Sequence, residues 1–241
     1  MIKQKSYHLN VYNHCSLACF NCQLDHSSIG SAQDLSSLIE QGLFFSKFPN
    51  ASIYNIYGGD PVEYPAIELL CKFLHQEGKQ IRIWSHLHLN IERALYLRPY
   101  VTQWCFFCPS IDAHDYQYHI GSFSFDTALD TLNELKSERI TPILHHRITQ
   151  DNIGFLPFIS EFSYTHQLPI WLHFHTKAFS KIQQADILYF EKLKYVSVLP
   201  LTAILSTSSC TVPLHPTTNL ERLLWKSKLR GQLKQFQKKF I

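Results

Sequence analysis

Three cysteines near the start of the chain are the residues whose types and spacing point most directly to chemistry. Cys15, Cys19 and Cys22 form a C-x3-C-x2-C pattern, so one loop can wrap a single metal centre. Cysteine thiolates are the usual ligands of iron–sulfur clusters, and three of them leave one iron of a four-iron cluster without a protein ligand. That iron can bind a small chelating molecule, as the open position of a catalytic metal site does, whereas a structural site closes with a fourth ligand.

Two other interpretations of the cysteines stay open on spacing alone. They would bind zinc if His14 or His26 supplied a fourth ligand. They would also serve as small packing residues if their loop were buried, because free cysteine is often interior. The loop is polar, however, which argues against burial. Its polar residues include His14, Ser16, Asn21, Gln23, Asp25 and His26.

The segments that must position these cysteines alternate between strand-like and helix-like patterns. The predicted strands cover residues 7–12, 52–57, 80–84, 101–111, 143–148 and 170–174. The predicted helices cover residues 32–48, 65–76, 91–97, 125–136 and 155–165. Such an alternation predicts an α/β fold, with a parallel sheet and helices outside it. In that architecture the functional site lies at the carboxyl ends of the strands.

Residues suited to binding follow several of these predicted strands. They are Gly58, Gly59, Asp60 and Pro61 after the second strand, Ser110 and Asp112 at the end of the fourth, and Thr149 after the fifth. The carboxyl ends of parallel strands meet at one edge of a sheet, so we expect these residues and the three cysteines to share one site.

With the cysteine pattern placed after a first strand, the chain resembles the radical S-adenosylmethionine superfamily. That superfamily combines C-x3-C-x2-C with a glycine-rich acidic motif after the second strand, which here is Gly58-Gly59-Asp60-Pro61. The family more often has glutamate at the position of Asp60. Residues 110–123 and 149–152 match further family segments, so the resemblance spans roughly residues 7–176 in consistent order.

The resemblance implies a partial (β/α)6 TIM-like barrel, open on one side, with a C-terminal helical extension. It also implies two cofactors. Cys15, Cys19 and Cys22 would hold a four-iron, four-sulfur (4Fe-4S) cluster, and S-adenosylmethionine would chelate the fourth iron through its amino and carboxylate groups. An electron donor such as flavodoxin or ferredoxin would reduce the cluster.

The remaining cofactor-binding residues follow from the same resemblance. Backbone carbonyls of Gly58, Gly59 and Asp60 would bind the methionine amino group, because glycine lets the backbone approach a ligand closely. The others are Phe20 or Asn21 near the adenine, and Ser110 and Asp112 at the ribose or methionine. Arg147 shares a strand face with His145 and Thr149 by parity, so we expect it to pair bidentately with the cofactor carboxylate.

The implied reaction is reductive cleavage of S-adenosylmethionine to a 5′-deoxyadenosyl radical that abstracts hydrogen from a substrate. The substrate class stays open between a small metabolite, a peptide or protein, and a nucleotide in RNA. Activation of a glycyl-radical enzyme is one alternative within this class. A non-catalytic iron–sulfur or zinc-binding protein on a diverged scaffold is an alternative of a different class.

The last part of the chain has a weaker pattern. We predict a core over residues 1–176 and an extension over residues 177–241, with a helix at 186–194, a strand at 196–199 and a terminal helix at 220–240. The terminal helix is amphipathic and carries seven Lys and Arg residues against one acid, Glu221. Its apolar residues would dock it on the barrel. Its basic face would then either be solvated, as is more common, or bind an RNA or an anionic protein partner.

The other cysteines are predicted to lie outside the site. Cys71 falls among apolar residues of a helix, and Cys210 stands alone. Cys105 and Cys108 would point to opposite faces of the fourth strand, which argues against a shared metal and favours packing roles.

Histidines form pairs at predicted strand ends. His86 and His88 share a face by alternation, as do His173 and His175. Such pairs would either line a substrate cavity or pack as hydrogen-bonded core residues.

Composition excludes several classes of protein. The 241-residue chain has no apolar run as long as a membrane span and no signal-like start. Its seven cysteines are not spaced as a disulfide framework, and a net charge of +3 says little about nucleic acid. We therefore expect a cytoplasmic protein in a reducing compartment.

Overall fold

The computed structural model describes residues 5–12, 15–17, 19, 35–121, 123–148, 152, 156–174 and 196–199. Of these, the residues up to Leu144 form one compact unit, and those from His145 onward belong to a second. In this described part of the chain, seven strands lie in one sheet in sequence order, with helices between them. The predicted α/β class is confirmed.

The strands are β1 (Ser6–Tyr12), β2 (Ile53–Gly58), β3 (Gln80–His86), β4 (Gln103–Phe107), β5 (Pro142–Ile148), β6 (Ile170–Phe174) and β7 (Val196–Leu199). The helices are α1 (Leu35–Glu40), α2 (Phe44–Lys47), α3 (Ile67–Gln76), α4 (Ile91–Leu97), α5 (Ala113–Ile120), α6 (Phe125–Ser137) and α7 (Leu156–His166). A short 3-10 helix, Pro61–Glu63, follows β2.

Strands β1 to β4 pair in parallel, and one face of them carries the apolar core of the first unit. Tyr54, Ile56, Ile81 and Ile83 on this face are fully buried. The helices cover it: Phe44 of α2 packs on Tyr54 at 6.1 Å between ring centroids, and α3 buries Ile67, Leu70, Cys71 and Leu74. Packing on this face holds β1 to β4 in place, and the carboxyl ends of these strands form the candidate site.

The opposite face of the same strands carries a polar row. His8, Asn55, Arg82 and Gln103 are register partners across β1 to β4. Arg82 donates from Nε to Gln103 Oε1 at 2.6 Å and from a terminal nitrogen to Asn55 Oδ1 at 3.2 Å. A buried guanidinium requires such acceptors, and these two hydrogen bonds link β2, β3 and β4 across this face.

The helix predicted over residues 32–48 is wrong in its described part. The chain forms α1 and α2 instead, separated by a turn in which Gly42 has φ +68°. Glycine adopts this left-handed conformation at little cost, and a continuous helix cannot contain it. Leu43, directly after this turn, is 46% exposed.

The fourth strand is shorter than the predicted 101–111, and helix α5 after it was not predicted. Pro109 lacks the N–H that a strand ladder needs, and Asp112 caps the new helix. The predicted strand at 196–199 is present as β7, which pairs in parallel with β6. The predicted helices at 186–194 and 220–240 lie outside the described residues, so the division at residue 176 stays a prediction.

Helices in the described part of the chain are all too short or too polar to cross a lipid bilayer.

Candidate functional site

Two of the three predicted metal-binding cysteines, both in the loop after β1, are among the described residues. Cys15 and Cys19 are half-buried, and the buried side chain of Leu17 anchors the loop between them. The Leu17 amide donates to Cys15 Sγ at 3.4 Å. Cys22 lies outside the described residues, as do Phe20, Asn21, His14 and His26, so their predicted roles stay predictions.

Burial raises the pKa of the Cys15 thiol to about 11, against the opposing effect of the Leu17 amide. Negative charge on Cys19, Asp60 and Glu63 raises it further. The two cysteines therefore lie close enough to feel each other's charge. A thiol with so high a pKa is protonated at neutral pH and becomes a thiolate when a cation replaces the proton.

The loop after β2 contains the diglycine motif. Gly58 has φ +145°, a conformation that side chains rarely adopt, and it is the register partner of Tyr12 at the end of β1. The backbone therefore requires glycine at this position. Gly59 and Asp60 are buried. The motif thus lies at the same edge of the sheet as the cysteine loop.

The Asp60 side chain is fully buried and organises the loop from within. Its Oδ1 accepts from the Ser85 hydroxyl at 2.7 Å and from the Val62 amide at 3.1 Å. The second contact caps the 3-10 helix Pro61–Glu63. Burial raises the pKa of Asp60, while the bonds from Ser85 and Val62 oppose that shift. The carboxylate thus has a structural task that sequence reasoning had not assigned.

His86, the last residue of β3, connects these two loops. Its Nε2 lies 3.1 Å from Cys15 Sγ, and its Nδ1 lies 4.0 Å from Asp60 Oδ2. The residue is 7% exposed, and burial lowers the pKa of His86 to about 4, so the imidazole is neutral at pH 7. The sequence indicated that His86 sits at a strand end but not that it contacts the cysteine loop.

A second polar group surrounds Tyr116 of α5. The buried Tyr116 hydroxyl lies 3.1 Å from His88 Nε2, and the His88 ring stacks on Phe123 at 4.2 Å. Burial raises the pKa of Tyr116, with additional effects of Cys108 and Cys19. His86 and His88 therefore have different partners: one faces Cys15, and the other faces Tyr116.

Ser110 and Asp112 form a hydrogen-bonded turn after β4. The buried Ser110 Oγ accepts from the Asp112 amide at 3.1 Å, and the Ser110 carbonyl accepts from Cys108 Sγ at 3.2 Å. Asp112 Oδ1 accepts from the Asp115 amide at 2.8 Å and caps α5. The exposed Asp112 side chain thus has a local structural role, and its predicted role at a cofactor stays a prediction.

Arg147 belongs to the second unit. In β5, Arg147 and His145 are half-buried, whereas His146 and Ile148 are buried. This alternation agrees with the prediction that Arg147 and His145 share a face of the strand. Asn152 donates from Nδ2 to the Arg147 carbonyl at 2.8 Å. Its pairing with a cofactor carboxylate stays a prediction, and Thr149 lies outside the described residues.

The other described cysteines are core residues, as predicted. Cys71 and Cys105 are fully buried and Cys108 nearly so, and burial raises the pKa of Cys71 and of Cys108 to about 12. Such thiols are inert packing residues. Cys210 lies outside the described residues.

The donor set at the edge of the sheet fits a thiolate-held metal centre. Among the described residues no three histidine, cysteine or carboxylate side chains converge on one metal position. Two of the required thiols are nevertheless adjacent and half-buried, and the third cysteine of the motif follows Cys19 by three residues.

No protein-family model matches the chain, and no curated protein sequence matches it. The comparison with solved structures does find similar folds. SuiB from Streptococcus suis is 12% identical with a TM-score of 0.62, and the match covers 82% of this chain and 49% of SuiB. The protein anSMEcpe with bound AdoMet is 12% identical with a TM-score of 0.61, and the match covers 80% of this chain and 63% of that protein.

Methylornithine synthase (PylB) is 13% identical with a TM-score of 0.53, and the match covers 70% of this chain and 52% of the synthase. The chain thus spans about half to two thirds of the length of these proteins. All three are radical S-adenosylmethionine enzymes, and at such low identity the likeness establishes the fold. The chain therefore shares the partial TIM-like α/β fold of these three enzymes, as the resemblance implied.

Proposed function

We propose that the chain is a radical S-adenosylmethionine enzyme whose 4Fe-4S cluster is held by Cys15, Cys19 and Cys22. The observation that carries the proposal is the position of the cysteine loop at the carboxyl end of β1. His86 lies between this loop and the diglycine loop after β2, 3.1 Å from Cys15 Sγ and 4.0 Å from Asp60 Oδ2. Cluster-binding thiols and a cofactor-binding backbone are then adjacent.

Within this proposal, Gly58, Gly59 and Asp60 offer backbone carbonyls to the methionine amino group. The capped 3-10 helix supports this role, because it fixes the peptide units around Asp60 before a ligand arrives. The further cofactor contacts that we propose come from Phe20, Asn21, Ser110, Asp112 and Arg147.

The bound cluster and S-adenosylmethionine would supply a 5′-deoxyadenosyl radical that abstracts hydrogen from the substrate. The residues of this chain bind and shield these groups. Burial of Asp60, His86 and Ser110 keeps water from the edge where the loops meet. Cys15 must release its proton as the metal binds, since its thiol is protonated in the metal-free protein. We propose a flavodoxin or ferredoxin of the reducing cytoplasm as the electron donor.

We propose a peptide or protein segment as the substrate. The support is that SuiB has been solved bound to its precursor peptide SuiA, and anSMEcpe with bound peptides. The test uses perdeuterated cell extract divided into peptide, small-molecule and RNA fractions. The fraction that transfers deuterium into 5′-deoxyadenosine contains the substrate. Transfer from the small-molecule or RNA fraction alone contradicts the peptide assignment.

A zinc-binding, non-catalytic protein is the second candidate, and one contact favours it. His86 Nε2 lies 3.1 Å from Cys15 Sγ, so three cysteines and this histidine offer the ligand types of a closed structural zinc site. Metal analysis distinguishes the two candidates: iron and sulfide after anaerobic reconstitution support the enzyme, and tightly bound zinc that iron does not displace supports the alternative.

The ligand set is tested by single replacements. Cys15→Ala, Cys19→Ala and Cys22→Ala each remove one thiolate, so we expect each variant to retain its circular dichroism spectrum but to lose most of its iron. Cys71→Ala is the matched control, because Cys71 is buried in α3 and lies outside the proposed ligand set. It should keep a full complement of iron and lose about 1 kcal/mol of stability. Loss of iron in the control contradicts the proposed ligands.

A further inference from the structure

The contact between His86 and Cys15 has a consequence for the proposed cluster. We propose that His86 is a positioning residue that donates a hydrogen bond from Nε2 to the Cys15 sulfur and thereby raises the reduction potential of the cluster. This inference rests on the proposed function, because it assumes that Cys15 ligates iron. It assigns a role to a residue that neither motif contains.

The direction of the hydrogen bond follows from the chemistry of a ligating thiolate. A nitrogen 3.1 Å from a sulfur is within hydrogen-bonding distance. In the metal-free protein, either Cys15 or His86 can supply the proton that they share. A metal-bound thiolate has lost its proton and only accepts, so the proton must then lie on Nε2.

The surroundings of His86 hold its ring in this orientation. Asp60 Oδ2 lies 4.0 Å from Nδ1, on the side of the ring away from the sulfur. Asp60 is itself fixed through Oδ1 by the Ser85 hydroxyl and the Val62 amide. Among the described residues, Asp60 Oδ2 and His86 Nδ1 are both buried and have no hydrogen-bond partner, so at 4.0 Å the carboxylate acts on the ring through its charge and not through a direct bond. A carboxylate behind a histidine is the usual device for orienting an imidazole toward a metal site.

The effect on the cluster is electrostatic. Reduction adds a negative charge that is shared by the sulfurs, and an N–H group directed at one of them stabilises that charge. His86 is buried and Cys15 is half-buried, so water screens this contact less than it would at the surface. Removing the donor should therefore make the cluster harder to reduce.

The test compares three variants of the full chain after anaerobic reconstitution. His86→Leu removes the donor with a similar volume, and His86→Gln keeps an N–H group on a side chain of similar reach. His88→Leu is the matched control, since His88 faces Tyr116 instead of Cys15. The midpoint potential is measured without S-adenosylmethionine by redox titration, with the electron paramagnetic resonance signal of the reduced cluster as the readout.

We expect His86→Leu to shift the equilibrium toward the oxidised cluster about tenfold, which corresponds to about 59 mV for one electron. His86→Gln should recover most of this shift, and His88→Leu should titrate as the parent does. Equal potentials in the parent and in His86→Leu overturn the inference, even if the parent cleaves S-adenosylmethionine. A parent that binds no iron contradicts the proposed function instead.

A spectroscopic measurement on the parent separates donation from ligation and does not depend on variant folding. Histidine labelled with ¹⁵N should show only a weak hyperfine coupling to the reduced cluster, and the coupling should vanish in His86→Gln. A strong coupling, typical of nitrogen bound directly to iron, overturns hydrogen-bond donation and makes His86 a ligand.

Discussion

At the scale of the residue, Asp60 illustrates how a motif position can serve the fold and the site together. Its carboxylate receives two hydrogen bonds in a fully buried position, one of which caps the 3-10 helix after β2. Capping an amide two residues ahead requires a short side chain. Asp60 meets this requirement, and the longer side chain of glutamate, more common in the family, would displace the carboxylate.

Replacing Asp60 tests this structural role. Asp60→Ala leaves the Val62 amide and the Ser85 hydroxyl buried without an acceptor, so we expect a loss of about 2–4 kcal/mol in the free energy of unfolding. Asp60→Asn keeps the accepting oxygen and removes a buried ionisable group, so its loss should be below about 1 kcal/mol. Urea denaturation followed by circular dichroism measures both. Equal losses in the two variants would show that the ionised carboxylate itself is needed.

At this scale, the sequence predicted the residue types of the site better than their contacts. The cysteine loop and the diglycine motif were visible because each is local in the chain. The link between Cys15 and His86 joins residues 71 positions apart, so no local pattern contains it. Strand alternation predicted a shared face for His86 and His88, but β3 ends at His86, and the partners of the two histidines come from the cysteine loop and from α5.

At the scale of the element, helix α5 shows why the region after β4 was only partly predicted. Its sequence is polar and has a weak apolar periodicity, with Tyr116 and Ile120 as its buried residues. The helix depends instead on Asp112, whose side chain accepts from the Asp115 amide. The stronger signal of residues 125–136 predicted α6 almost to its last residue, because four apolar positions share one face.

Replacing Asp112 separates its capping role from its proposed role at the cofactor. Asp112→Ala should lose about 1 kcal/mol of stability, whereas Asp112→Ser retains a capping oxygen and should lose less than half of that. If Asp112 also binds S-adenosylmethionine, both variants should bind it at least threefold more weakly in equilibrium dialysis of the reconstituted protein. Unchanged binding in Asp112→Ser would limit the residue to capping.

At the scale of the whole molecule, the alternation of strands and helices predicted the parallel sheet. This prediction succeeded because each of the strands β1 to β4 has apolar residues on the face that the helices cover. The order of the strands, in which neighbours in the sheet follow one another along the chain, was not predicted. The polar row of His8, Asn55, Arg82 and Gln103 was not predicted. Each member is one polar residue within a strand, and only the register of four strands joins them into a row.

Cleavage of S-adenosylmethionine is the measurement that tests the central claim most directly. The full chain is reconstituted anaerobically with iron and sulfide, S-adenosylmethionine and dithionite are added, and 5′-deoxyadenosine is quantified, with Cys15→Ala and a reaction without reductant as controls. We predict a cluster spectrum that changes when S-adenosylmethionine binds, followed by 5′-deoxyadenosine in the complete reaction alone. A parent protein that assembles the cluster but neither responds to S-adenosylmethionine nor forms 5′-deoxyadenosine would contradict the enzyme assignment.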